Sequence, residues 1–191
     1  MTASRVILAA AGCAALVLAG APAPAQEPEA GAEPYTGSYF KRQAIVVSDI
    51  ERALTLYRDV LGFTLHSLTQ SSADSYSYEV FNIPREASIR FATLDGGETQ
   101  IRTLALIETG GIELARQTGV RRAAAVINAN GRYEDIFAAI EDMGLETMAP
   151  RPLGDPDSPR GQGVELGFLD WDGNLIVLYQ FPGPQAAPSP R

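Results

Sequence analysis

Apolar and polar positions along the chain fall into one order of elements that occurs twice. Residues 41–47 end in the apolar run Ala44-Ile45-Val46-Val47 and predict a strand. Ser48 or Asp49 then caps a helix whose apolar positions Ile50, Ala53, Leu54, Tyr57, Val60 and Leu61 recur at helical spacing, and Gly62 ends it. A strand over 63–68 follows. Residues 71–83 predict a polar loop with a short helix over 76–81, stopped by Pro84. Strands over 88–94 and 100–107, joined by Asp95-Gly96-Gly97, complete a β-α-β-β-β unit. Past Gly110-Gly111 and a polar connection the order restarts. It runs through a strand over 122–127, a helix over 133–143 ended by Gly144, a strand over 145–148 and a Pro/Asp/Gly loop over 150–163. Two last strands flank Asp170-Trp171-Asp172-Gly173-Asn174, where Asp-Gly and Gly-Asn supply the positive φ of a tight hairpin.

A unit that cannot bury its sheet alone packs against its neighbour, so the expected architecture is α+β, two βαβββ modules whose curled sheets form a cup. The domain spans 39–182, with module one at 39–109 and module two at 120–182. Before it, residues 26–38 are rich in Pro, Gly and Glu and read as a disordered linker, and 183–191 read as a flexible tail.

Two blocks carry a family resemblance. One is the strand, Asp-Gly-Asn turn and strand ending in Leu178-Tyr179-Gln180, with Trp171 where Pro is usual. The other runs from Val47-Ser48-Asp49-Ile50 to Val60-Leu61-Gly62-Phe63. Both resemble the vicinal oxygen chelate superfamily of glyoxalases, bleomycin-resistance proteins and extradiol dioxygenases. The resemblance implies a small-molecule site in the cup and, in metal-dependent members, a divalent ion held by His, Glu or Gln from the first and last strands of each module.

Those ligand positions fall here near Arg42, Ala105, Arg122 and Val177. A divalent ion needs lone-pair donors that neutralise it as they desolvate it, and two guanidiniums beside two aliphatic groups supply none. Gln43 could donate, but strand alternation turns it away from the face that Arg42 lines. The expectation is therefore no metal and no cofactor, with a divalent metal as the alternative should the register differ. Arg42 and Arg122 could instead grip an anionic or oxygen-rich molecule, or lie at strand ends in solvent, or pair with Glu108 or Glu165. Tyr179 shares the strand face of Val177 and could contact the ligand. Glu165, Tyr179 and the lone histidine His66 are the candidates for acid–base chemistry if the protein is a glyoxalase- or dioxygenase-like lyase or isomerase. As plain structure, Tyr57, Ile136, Phe137 and Ile140 are core, and Asp170 and Asp172 are exposed turn caps.

Charge narrows the partners. The formal charge is −8, and residues 1–25 carry only Arg5, so their removal moves it to −9. Such a surface repels phosphate backbones, and nucleic acid is not an expected partner. Residues 1–25 themselves have Arg5, an apolar run over 6–18 and Ala23-Pro24-Ala25, the three parts of a secretory signal peptide. Export to the periplasm or beyond follows, with no membrane attachment after cleavage at Ala25. Lipidation at Cys13, the single cysteine, is the alternative. A homodimer, with modules paired within or between chains, is left open.

Overall fold

The structure, a computed structural model, describes residues 37–182. The leader, Cys13, most of the linker and the tail lie outside the described residues. Two four-stranded sheets repeat one topology. Sheet one has the order β1(Gln43–Val47)-β4(Leu104–Gly110)-β3(Ser88–Asp95)-β2(Thr64–Gln70), and sheet two β5(Ala125–Asn128)-β8(Leu175–Gln180)-β7(Gly163–Leu169)-β6(Arg151–Leu153). In each sheet the first and last strands pair in parallel, β1 with β4 and β5 with β8, and the other pairs are antiparallel. The α+β fold with two modules is as the sequence implies.

Each module lays its helix across one face of its sheet. Helix α1 (Ile50–Leu54) starts where the Asp49 carboxylate accepts the Arg52 N–H at 3.0 Å. It then widens into a π-helical turn over Thr55–Val60, in which the Leu61 N–H reaches the Leu56 carbonyl at 2.8 Å. The segment from Ile50 to Gly62 is one residue longer than its counterpart from Tyr133 to Gly144, and the π turn absorbs the excess. As a result both Leu56 and Tyr57 are buried on the sheet. A second helix, α2 (Ser77–Val80), belongs to the loop after β2. Helix α3 (Tyr133–Asp142) buries Tyr133, Ile136 and Ile140 on sheet two. The two helices start alike. Glu108 accepts the Ile50 N–H at 3.0 Å and Gln180 accepts the Tyr133 N–H at 3.3 Å, so the ends of β4 and β8 are matching places in the repeat.

Side chains from both helix-bearing faces form one apolar core, which includes Ile45, Leu54, Tyr57 and Leu106 of module one with Ile136, Ile140, Phe168 and Leu178 of module two. The modules therefore pair within the chain. Burial of this shared apolar area is the main force holding them, at roughly 25 cal/mol per Å² removed from water.

The structure moves several expected elements. Residues 145–148 form no strand but a single bridge, Thr147 to Phe168, and the third strand of module two is β6, inside the expected loop. Pro152 is tolerated there because β6 is an edge strand that pairs with β7 alone. Residues 100–103 are a turn, with Arg102 at φ 53°, so the fourth strand begins at Leu104. The strand expected from Arg122 begins at Ala125. Asp170 is not an exposed cap: it is 2% exposed.

Candidate functional site

The faces opposite the helices form the cup, and its two halves differ. In module one the alternate residues Val46, Ile107, Phe91 and Ile89 point to this face, and the segment around α2 covers them. Tyr78, Phe81 and Ile83 pack there as a second, smaller apolar cluster. The Tyr78 hydroxyl, also buried, donates to the Ala87 carbonyl at 2.9 Å. Among the described residues, no helix or loop segment packs over the cup face of module two's strands as α2 does over module one's. The cup face of module two holds a hollow of about 370 Å³ lined by Met148, Arg151, Glu165, Gly167, Leu175 and Val177. A smaller one of about 230 Å³ lies at the seam, bordered by Ala44, Phe81, Gln117, Ala124, Asn174 and Leu175. Both volumes are of the order that small ligands occupy, the larger within the usual range and the smaller just below it.

Strand register arranges the open face in two rows. Arg151 of β6 pairs with Glu165 of β7, Glu165 with Tyr179 of β8, and Tyr179 with Asn128 of β5. Beside this polar row, Gly167 pairs with Val177 and Val177 with Val126. Paired residues share a sheet face, so a polar stripe runs along an apolar one. Among the described residues, the polar side-chain atoms of Arg151, Glu165 and Tyr179 have no hydrogen-bond or ion-pair partner. The Tyr179 ring meets Phe181 edge-on at 6.4 Å between centroids.

The other expected site residues are scattered. Arg42 precedes β1 on the cup side, its guanidinium 6.0 Å from the Phe91 ring centroid. Ala105 is fully buried on that side of β4. Arg122 is exposed in irregular chain ahead of β5. With the helix-capping Glu108 and Gln180 matched, Gln43 corresponds to Ala125, and the counterpart of Arg42 is Ala124 rather than Arg122. Counted from Gln43 and Ala125, the connection to the helix is one residue longer in module two than in module one, which puts the counterpart at Ala124, two residues after Arg122. Neither arginine lines either of these two hollows. His66 sits at a bulge on the edge strand β2, its Nδ1 3.0 Å from the Asp95 carboxylate and remote from the open face. Glu108 pairs with Arg90 and Glu165 with no arginine.

No group of three or more His, Cys, Asp or Glu among the described residues is placed to hold a metal ion. The side chains that the register puts at the four family positions, Arg42, Ala105, Ala124 and Val177, are one guanidinium and three aliphatic groups and do not fit a divalent ion.

Two features escaped the sequence. Arg151 was hidden because Pro152 and the surrounding Asp, Gly and Pro residues read as loop; the edge-strand tolerance of proline is the signal that could have exposed it. The other is a buried polar clasp between the modules. Asp170 accepts from the Tyr57 hydroxyl at 3.0 Å, from the Asn174 side-chain amide at 2.9 Å, and from the Asp172 and Asn174 backbone N–H groups at 3.0 and 2.8 Å. Asp172 accepts the Ser48 N–H at 3.1 Å, and Asn174 donates to the Val46 carbonyl at 3.1 Å. Burial raises the Asp170 carboxyl above its ordinary range and the nearby Asp172 charge adds to this, while the bonds from Asn174 and Tyr57 pull it back. Burial also raises the Tyr57 phenol, and the Asp170 charge raises it further.

Comparison with known proteins accords with this architecture. The model of the Glyoxalase/Bleomycin resistance protein/Dioxygenase superfamily matches residues 39–178. The chain belongs to this superfamily. Similar solved structures include a glyoxalase family protein from Bacillus cereus (12% identity, TM-score 0.52, covering 78% of this chain and 99% of that one). Another is a glyoxylase/bleomycin resistance protein/dioxygenase domain from Frankia sp. EAN1pec (15%, 0.50, 76% and 99%). A third is the trypanothione-dependent glyoxalase I of Leishmania major (14%, 0.51, 75% and 87%). At these identities they show the shared fold alone. No curated protein matches the chain significantly.

Proposed function

We propose that this superfamily member binds a small molecule, anionic or oxygen-rich in part, on the open face of module two, without a metal ion. The observation that carries the reading is the contrast between the halves of the cup. Module one fills its face with Tyr78, Phe81 and Ile83, whereas module two leaves an apolar floor beside Arg151, Glu165 and Tyr179, whose polar atoms have no partner among the described residues. Apolar lining with a few convergent polar groups is what small-ligand sites have in common. Absence of suitable donors at Arg42, Ala105, Ala124 and Val177 supports binding by shape and polar contact. The leader supports export, which N-terminal sequencing of the secreted chain would test by finding Gln26 first. Among the described residues, no helix is long and apolar enough to cross a membrane.

The test is a melting-temperature screen with benzoate and benzyl alcohol as probes, together with elemental analysis. Binding stabilises the folded state, and each kcal/mol gained raises the melting temperature by about 2–4 °C in a domain of this size. Val177→Trp, which fills the hollow, is expected to abolish the rise. A rise that survives Val177→Trp would refute the location, and stoichiometric Zn, Ni, Mn or Fe would refute binding without metal. A second reading, a lyase or isomerase, draws on Glu165 standing opposite Tyr179 as a base beside a weak acid. It requires turnover that is lost in Glu165→Gln.

A further inference from the structure

We propose that the hollow of module two takes a small apolar amino acid or a zwitterion of the same build, an inference that rests on the binding role of that face. The two rows specify the ligand. Arg151 and Glu165 are opposed in register, line the same hollow and make no ion pair with each other or with other described residues. An exposed pair gains little by closing on itself, so both charges stand ready for a ligand. A simple anion at Arg151 would meet the Glu165 carboxylate, and a simple cation at Glu165 would meet the guanidinium. One molecule satisfies both only if it carries an ammonium and a carboxylate close together. Guanidinium grips a carboxylate through two parallel N–H donors, and the Tyr179 hydroxyl, opposite Glu165 in register, adds another polar contact along the same row.

The apolar row fixes the rest of the molecule. Gly167, Val177 and Leu175 form a floor beside the charges. Gly167 keeps that floor low: a Cβ there would stand 2.6 Å from the Met148 sulfur, which lies across the glycine. A methionine is unbranched and soft, so Met148 can move aside for an apolar or aromatic side chain and then pack on it. The overall negative charge disfavours a ligand of net negative charge and leaves a net-neutral one unpenalised.

The experiment is calorimetric titration of the full chain with L-phenylalanine, with phenethylamine, which lacks the carboxylate, and with 3-phenylpropionate, which lacks the ammonium. The expected result is that phenylalanine binds at least about tenfold more tightly than either truncated compound, as loss of one charge-assisted contact implies. Arg151→Met should reduce its affinity to that of phenethylamine, and Glu165→Gln to that of 3-phenylpropionate. Both residues are at the surface of the sheet, and an unchanged circular dichroism spectrum would confirm that the variants fold. If either truncated compound binds as well as phenylalanine, or if phenylalanine alone fails to bind, the zwitterion assignment is overturned while the binding role of the face stands. If none of the three binds and benzoate and benzyl alcohol are also without effect, both readings fall.

Discussion

The hairpin turns that close the two modules have opposite surroundings. In module one, Asp95 stays at the rim, where the Arg102 backbone N–H and His66 hold its carboxyl below the ordinary range. In module two, the turn drives Asp170 into the core against Tyr57, and burial holds its carboxyl above that range. The cup faces reverse the contrast, since among the described residues module one's is filled and module two's keeps a hollow. One backbone unit has thus been given two tasks. Module one, with its cup face packed and its helix clasped by the other half, is scaffold. Module two secures itself through its turn, and its sheet face holds the hollow where the proposed ligand would sit.

The comparison breaks most visibly at Asp170. Asp170→Ala leaves a buried phenol and two backbone N–H groups without an acceptor, and the expected loss of stability is about 3–5 kcal/mol, read by denaturant unfolding. Tyr57→Phe removes one donor only and should cost about 1–2 kcal/mol. Equal costs for the two would show that the carboxylate does not organise the clasp.

Smaller but more diagnostic is the pH dependence, because two carboxylates have opposite signs. Glu108, whose carboxyl is held low chiefly by the bond from Arg90, adds stability that is present above the unfolded value of 4.5 and lost as pH falls through its lower folded value. Asp170, held high by burial, does the reverse. Its stabilising contribution is full below 3.8 and is lost as pH rises through its raised folded value. Glu108→Gln should therefore cost more at pH 7 than at pH 4, and Asp170→Asn more at pH 4 than at pH 7. Parallel slopes would contradict the assigned surroundings.

Most of the fold was legible because its signals are local. Helical spacing from Ile50 to Leu61, the Gly62 and Gly144 stops and the Asp-Gly-Asn turn each state their geometry within a few residues. The site was less so. Glu165, Tyr179 and Val177 could be placed on one face by alternation from the hairpin, and the register sets them there. Arg151 could not, since an edge strand carrying Pro152 looks like loop. Asp170 could not either, since turn residues are ordinarily solvated and only the packing of one module on the other buries this one. The counterpart of Arg42 depended on counting across a loop whose length differs between the modules.

The most direct test of the division between scaffold and site is an amide chemical-shift titration with benzoate or benzyl alcohol, whichever raises the melting temperature more. The division predicts shifts centred on Gly167, Val177 and Tyr179, with Phe91, Ala105 and Ile107 unmoved. Shifts centred on the module-one strands, or confined to the seam around Ala44 and Asn174, would contradict it.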